Sequence, residues 1–215
     1  MSIQLFGHPF SSYTWKALIP LYETETPFEF RDISGDKHPE NEAAFLDYWP
    51  VGKFPLLVDD GEPIMESSVI VEYVAPALVP AGREAAREVR MLDRIFDNHV
   101  MTPAQAVVAE HLPFITQTPD EARIARARVA LDKIYPWLDS RLAGREWAAG
   151  DDFTLADCAG APSLFYADWV QPIPEELASL RAYRARVLSR PSVARVVDEA
   201  RPYRPLFPLG APDRD

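Results

Sequence analysis

Strand-forming patterns are confined to the first eighty residues of this chain, and that asymmetry restricts it to an α/β unit followed by an all-α unit. I-Q-L-F, from Ile3, reads as a short strand. Ser12 to Glu23 then reads as a helix with Trp15, Leu18, Ile19 and Tyr22 on its apolar side, and P-F-E-F-R-D, from Pro27, alternates with period two as a second strand. Strand, helix, strand implies a parallel pair. A polar segment from Gly35 to Asn41 and a helical patch from Ala43 to Tyr48 lead to F-P-L-L-V-D-D-G-E-P-I-M, whose D-D-G turn predicts a hairpin. E-S-S-V-I-V-E-Y-V closes the unit as a helix with a serine at the cap position. The predicted order is βαβ followed by ββα.

From Arg83 onward the period changes to that of amphipathic helices. Arg83 to Val100 places Ala86, Val89, Leu92 and Phe96 on one face, and Pro119 to Leu142 does the same with Ile124, Ala127, Leu131, Ile134, Leu138 and Leu142. Further helices are predicted at Leu155 to Trp169, Glu175 to Leu188 and Ser192 to Glu199. The joint is A-P-A-L-V-P-A-G, Ala75 to Gly82, whose prolines and glycine interrupt any helix. Two domains are expected, at 1–76 and 83–205. The tail from Arg201, with four prolines, is expected to run over the surface without regular structure.

The chain of 215 residues is 47% hydrophobic, enough for a sizeable core. No apolar run approaches the roughly 18 to 20 residues of a membrane span, and M-S-I-Q-L-F-G does not resemble a signal peptide, so a cytoplasmic location is expected. The single cysteine, Cys158, rules out an internal disulfide, a cysteine-based metal cluster and dithiol catalysis; among small alanines, it reads as a buried apolar residue. Of the net charge of -11, residues 1 to 80 carry -9, from thirteen acids and four bases. Such a front half repels nucleic acid and anionic membrane. Any small anion bound there has few cationic partners: Lys16, Arg31, Lys37 and Lys53, with His38 when protonated.

Five stretches, in this order and at these separations, resemble the cytosolic glutathione S-transferase family: S-S-Y-T-W-K after the first strand, K-F-P-L before the hairpin, M-E-S-S-V-I-V-E-Y at the third helix, G-D-D-F-T-L-A-D-C, and R-P-S-V-A-R near the end. The resemblance implies a thioredoxin-like domain that binds glutathione as co-substrate, followed by a helical domain. It implies a cis peptide before Pro55, with Phe54 offering backbone groups to the cysteinyl part of glutathione. Glu66 and Ser67 would take the γ-glutamyl end, and Lys53 the glycyl carboxylate, with His38 and Lys37 as further candidates. It also implies a twofold homodimer with the Arg83 to Val100 helix at the interface. In the residues themselves, Pro55 reads equally as the opening of an edge strand and Ser67 as a helix cap. Thr154 and Asp157 form an acidic capping box.

The hydroxyls of Ser11, Ser12 and Tyr13 stand at a helix N-terminus, where thioredoxin-like redox enzymes carry C-x-x-C. A hydroxyl there can donate to a bound thiolate and lower its pKa. S-S-Y-T-W-K is similar to the S-S-C-S-W-R pattern of the zeta class, in a sequence of bacterial type. That similarity implies Ser11 as the catalytic hydroxyl, with Ser12 and then Tyr13 as alternatives. The expected reaction is attack of activated glutathione on an apolar electrophile, as in detoxification. The alternatives are a zeta-like isomerase and a non-catalytic glutathione-binding protein. Arg83, Arg87, Arg90 and Arg94 form a row read as a solvated face paired with acids such as Glu84 and Glu88. Phe114, Phe165, Tyr166 and Trp169 could wall an electrophile pocket, though most such aromatics belong to ordinary core.

Overall fold

The computed structural model describes residues 2–34 and 37–215. Its sheet comprises β1 (Ile3–Gly7), β2 (Glu29–Asp32), β3 (Leu56–Asp59) and β4 (Glu62–Ile64), in the order β2-β1-β3-β4. β1 runs parallel to β2, with Leu5 opposite Phe30, and antiparallel to β3, with Leu5 opposite Leu57. Between β3 and β4 lie only Asp60 and Gly61, both at positive φ (49° and 93°), the two-residue hairpin that D-D-G predicts. Alternation along the strands divides the core. Leu5 and Leu57 face α1 (Ser12–Glu23) and α3 (Ser67–Val74), whereas Phe6, Leu56 and Val58 pack with Phe45 of α2 (Pro39–Tyr48) on the other side.

The second half is helical. It comprises α4 (Arg83–Ile95), α5 (Thr102–Glu110), α6 (Glu121–Leu142), α7 (Leu155–Val170), α8 (Ala178–Ser189) and α9 (Pro191–Ala200); α4, α5 and α8 pack against α7, every residue of which is buried. Trp15 of α1 meets Phe165 and Tyr166 of α7 at ring separations of 4.8 and 5.1 Å, so the sheet unit and the helical unit share one core. At the start of α7 the capping box is present. Asp157 accepts from the Thr154 N–H (2.8 Å), the Ala148 N–H (2.8 Å) and the Tyr183 hydroxyl (2.8 Å), anchoring three segments at one carboxylate. Cys158 is fully buried, and burial pushes its thiol well above the ordinary range.

Several expectations are corrected. The predicted Arg83 to Val100 helix ends at Ile95 and passes through a π-helical turn, Phe96–Met101, into α5. Pro103 lacks the N–H needed to continue an α-helical ladder, and the Thr102 hydroxyl instead donates to the Asp97 carbonyl at 3.0 Å. The tail is ordered. A 3-10 turn spans Arg201–Leu206, Phe207 is buried against Trp169 (5.1 Å), Arg214 donates to the Asp168 carbonyl (3.0 Å), and Asp215 pairs with Arg201 (2.5 Å). Of the polar segment at Gly35 to Asn41, Gly35 and Asp36 lie outside the described residues; α2 already begins at Pro39.

Lys16 joins the two units. Although the sequence offers it as a cation available to a bound anion, it is 0% exposed. Its Nζ lies 2.5 Å from Asp93 Oδ1 of α4 and 2.7 Å from Asp97 Oδ2 of the π-turn, and it donates to Ser68 Oγ of α3 at 2.8 Å. Arg94 completes the cluster, pairing with Asp93 (2.6 Å) and Asp97 (2.7 Å) and donating to Ser68 Oγ. Burial raises the Asp97 carboxyl above its ordinary pKa, against the pull of Lys16. Lys16→Met should therefore destabilise the fold by about 3 to 5 kcal/mol, the cost of leaving two buried carboxylates with Arg94 as their one remaining cation. A carboxyl with a raised folded pKa favours the folded state increasingly as pH falls through that value. The deficit in denaturant midpoint should accordingly narrow at acid pH; a deficit that widened instead would contradict this account of the cluster.

Candidate active site

The site is built on the turn between β1 and α1. Gly7 ends β1 where a Cβ would lie 2.6 Å from the Thr14 side chain, so only glycine lets the chain double back this closely. From His8 to Ser11 five backbone groups have partners. The Ser11 N–H donates to the His8 carbonyl (3.0 Å), the Phe10 N–H to His8 Nδ1 (3.1 Å), Trp15 Nε1 to the Pro9 carbonyl (2.7 Å) and the Tyr166 hydroxyl to the Phe10 carbonyl (2.9 Å). Ser11 is the N-cap of α1, with extended backbone; its Oγ accepts a long 3.4 Å contact from the Thr14 N–H. That contact uses a lone pair and leaves the Ser11 hydroxyl proton free to donate.

The three hydroxyls differ in setting. Ser11 is half-buried at the N-terminus of α1, where helix N–H groups favour an anion. Ser12 is buried within the first turn. Tyr13 faces the π-turn. Burial and then the Asp97 carboxylate push its phenol up to about 12, while the Thr102 side chain hydrogen-bonds it. A thiolate brought beside Tyr13 would share the field of Asp97, whereas one beside Ser11 would meet the start of a helix.

Two further segments converge on this turn. β3 runs antiparallel to β1, with Leu56 opposite Phe6, so the residues before β3 lie beside the end of β1. There the Phe54–Pro55 peptide is cis, Pro55 is buried, and Phe54 is exposed outside the ladder, its backbone groups not committed to either strand pair. Lys53 is exposed, and among the described residues no carboxylate pairs with it. α3 is brought against α1 by the Lys16 to Ser68 bond, placing Glu66 and Ser67 at the N-terminus of α3 close enough for the Glu66 charge to act on Tyr13. The expected serine cap is corrected here. Glu66 is the N-cap, at φ 68° and ψ 114°, and Ser67 is the first helical residue, buried. A non-glycine residue in that region costs of order 1 to 3 kcal/mol, a strain that clusters at ligand clamps.

His38 precedes α2, its Nδ1 3.6 Å from Glu40, and no described contact brings it to the α1 or α3 N-termini. Lys37 lies over the Tyr203 ring at 5.6 Å. Three members of the arginine row are paired, in part with different acids than expected: Arg87 with Glu84, Arg90 with Glu72, and Arg94 in the Lys16 cluster; Arg83 has no ion pair among the described residues, and Glu88 binds Arg141 and Arg145. Phe165, Tyr166 and Trp169 are core, but Phe114 is 83% exposed. Behind the turn, a hollow of about 400 Å³ lies between Pro9, Phe30, Tyr22 and Tyr203, away from Ser11. Among the described residues no His, Cys, Asp and Glu cluster could hold a metal ion. Sequence reasoning missed His8 and the Lys16 cluster; the H-P-F turn before the serines was the available signal for the first.

A thioredoxin-like sheet with a cis-proline at its edge, joined to a helical unit and presenting hydroxyls at a helix N-terminus, defines a thiol-binding protein of the glutathione transferase type. The chain belongs to the glutathione S-transferase family: residues 1–76 match the family's N-terminal domain and residues 97–191 its C-terminal domain. It is 27% identical over 207 residues to glutathione S-transferase F6 of Arabidopsis thaliana, covering 91% of this chain and 99% of the relative. To glutathione S-transferase 3 of Zea mays it is 28% identical, covering 91% and 93%. Among solved structures, a glutathione S-transferase from Methylobacillus flagellatus with glutathione bound superposes with a TM-score of 0.79 at 26% identity, covering 91% of this chain and 98% of that one. Gtt2 from Saccharomyces cerevisiae gives 0.78 at 25%, covering 90% and 99%. Plant, fungal and bacterial proteins thus all resemble it, and neither the zeta class nor a bacterial type is singled out.

If Ser11 donates to the thiolate, Ser11→Ala should raise the pKa of bound glutathione by about one to two, the equivalent of a charge-assisted hydrogen bond of about 1.5 to 3 kcal/mol. Thiolate absorbance titrated against pH reads this, with Ser12→Ala and Tyr13→Phe as controls. A wild-type titration for Ser11→Ala beside a raised one for Tyr13→Phe would transfer the role to Tyr13.

Proposed function

We propose that this protein transfers glutathione to an apolar electrophile, with the Ser11 hydroxyl stabilising the attacking thiolate. The observation that carries the reading is the Ser11 hydroxyl itself, which at the N-cap of α1 accepts only a long 3.4 Å contact and keeps its proton to donate, on a turn whose Phe10 and Ser11 N–H groups are both anchored to His8. A free thiol, with pKa about 8.5, is only a few per cent ionised at neutral pH. Each unit by which the site lowers that value represents about 1.4 kcal/mol of preference for thiolate. Nucleophile formation then requires only that the thiol proton leave to solvent.

Glutathione itself is held by its ends. Phe54 offers its N–H and C=O to the cysteinyl backbone as an added strand would. Glu66 takes the α-ammonium of the γ-glutamyl group, the Ser67 hydroxyl and the α3 N–H groups take its carboxylate, and exposed Lys53 takes the glycyl carboxylate. His38 is a lesser candidate for that end, since Glu40 already faces it. The binding unit is residues 1–76, and residues 83–205 supply the electrophile side. The zeta-like isomerase reading requires cations for a dianionic substrate, and the pairing of Arg87, Arg90 and Arg94 favours the transferase. No helix among the described residues is long and apolar enough to cross a membrane. A homodimer is supported by exposed Val69 and Tyr73 on α3 beside Met91 on α4, apolar side chains on two helices that Arg90 and Glu72 clamp together at 2.7 and 2.8 Å.

Calorimetry should give a glutathione dissociation constant between about micromolar and millimolar, roughly -4 to -8 kcal/mol. Lys53→Ala should weaken it more than Lys37→Ala; equal effects would displace the glycyl carboxylate from Lys53, and no heat from the folded protein would overturn the reading. Sedimentation at micromolar concentration should show twice the chain mass of 24.2 kDa, falling to a single chain in Met91→Glu. A wild-type protein sedimenting at 24.2 kDa would refute the dimer.

A further inference from the structure

We propose that His8 is a positioning residue for the Ser11 hydroxyl, acting through the unprotonated Nδ1 of its ring. This rests on the reading of Ser11 as the thiol-activating group. His8 holds both amides ahead of α1: its carbonyl accepts the Ser11 N–H at 3.0 Å and its Nδ1 accepts the Phe10 N–H at 3.1 Å. The second bond has the span of an Asx turn, in which a side-chain acceptor takes the N–H two residues on. It also fixes the tautomer, since an Nδ1 that accepts leaves the ring proton on Nε2.

The other side of the ring is packed by elements distant in sequence. Tyr203 of the tail meets it edge-on at 5.5 Å, and the Tyr203 hydroxyl lies 3.2 Å from Asp32 Oδ2 at the end of β2. Lys37, before α2, stands over the Tyr203 ring. These are the charged and titratable groups that face His8. Burial lowers its pKa below 6.5, Asp32 pulls it back up, and Lys37 pushes it further down. At neutral pH the ring is therefore uncharged and the acceptor is available. Protonation makes both ring nitrogens donors, sets an N–H against the Phe10 N–H, and removes one of the two amide anchors of the turn. The sign follows from linkage. The unfolded chain protonates near the ordinary value and the folded one resists, so stability falls as pH drops below about 6.5 and levels off below the lowered folded pKa.

The test compares wild type with His8→Asn, His8→Gln and His8→Ala. The Asn side-chain oxygen replaces Nδ1 without titrating, whereas the Gln amide reaches instead toward the Nε2 position. With an aryl halide as electrophile, His8→Asn should retain kcat/KM at neutral pH within about threefold and lose the acid limb of the wild-type profile. His8→Gln and His8→Ala should lose about tenfold, the loss of roughly one hydrogen bond, with KM for glutathione unchanged. Amide hydrogen exchange at Phe10 supplies a readout independent of turnover: protected in wild type and His8→Asn, exposed in His8→Ala, and increasingly exposed in wild type as pH falls. An Asn variant as impaired as Ala, or an acid limb that persists in Asn, would overturn the inference. So would unchanged Phe10 protection in an active His8→Ala enzyme, and that result would leave the function of Ser11 intact. Absence of turnover in wild type would instead defeat the functional reading, and this inference with it.

Discussion

The fold depends on one buried ammonium. Lys16 has no exposure to water, yet its Nζ reaches two carboxylates and a hydroxyl drawn from α3, α4 and the π-turn. With Arg94 the cluster holds two cations and two anions, so it is neutral when all four are ionised. Such a cluster is a weak source of net stability, since desolvation offsets most of its Coulomb gain, but a misplaced α4 would leave charges unpaired at a cost of several kcal/mol. Its effect is therefore geometric. It fixes the N-terminus of α3, which carries Glu66 and Ser67, against the first turns of α1, which carry Ser11 and Tyr13.

That geometry solves an electrostatic problem posed by composition. The first eighty residues carry a charge of -9, and glutathione is itself an anion at neutral pH. With Lys16 spent inside and Arg31 beside Glu29 at 3.0 Å, side-chain cations alone are a poor means of holding it. Helix N-termini supply the missing positive potential through N–H groups that need no charged side chain. Two such termini, of α1 and α3, are brought together, and in the proposed binding mode exposed Lys53 takes the carboxylate at the far end of the tripeptide. The strained backbone at Glu66 turns the chain from β4 into α3 with no side-chain cap hydrogen bond, which leaves the first N–H groups of α3 unclaimed by a cap.

Much of this was legible in the sequence because it is written in local periodicity. Alternation in L-F and L-L-V separates Leu5 and Leu57 from Phe6, Leu56 and Val58, and D-D-G encodes two consecutive positive φ angles. The capping box of Thr154 and Asp157 was equally local. What escaped depends on distance along the chain. Nothing near Lys16 announces that its partner Asp97 lies eighty-one residues away, so a helical lysine read as a surface cation. The π-turn arises from a break in the helical ladder at Pro103 that apolar spacing does not register. The proline-rich tail is ordered by side chains, Phe207 on Trp169 and Arg214 on Asp168, that no local pattern links. Ser67 was read as a cap because serine favours that position; the tertiary constraint on the turn out of β4 moved the cap to Glu66.

Replacing a dithiol by hydroxyls changes which partner supplies the sulfur. A thioredoxin-like redox site activates a thiol of its own, whereas this chain has one cysteine, buried in α7 with its thiol pushed well above the ordinary range. Cys158 therefore offers no competing nucleophile and no partner for a mixed disulfide with glutathione. A serine hydroxyl, with one proton to donate and no accessible anionic form of its own, can lower the pKa of a bound thiol without taking a proton from it. The same reasoning favours Ser11 over Tyr13 in the proposed mode of binding. The Tyr13 phenol is raised to about 12 by burial first and by Asp97 second, so its surroundings disfavour a negative charge, whereas the N–H groups at the start of α1 favour one.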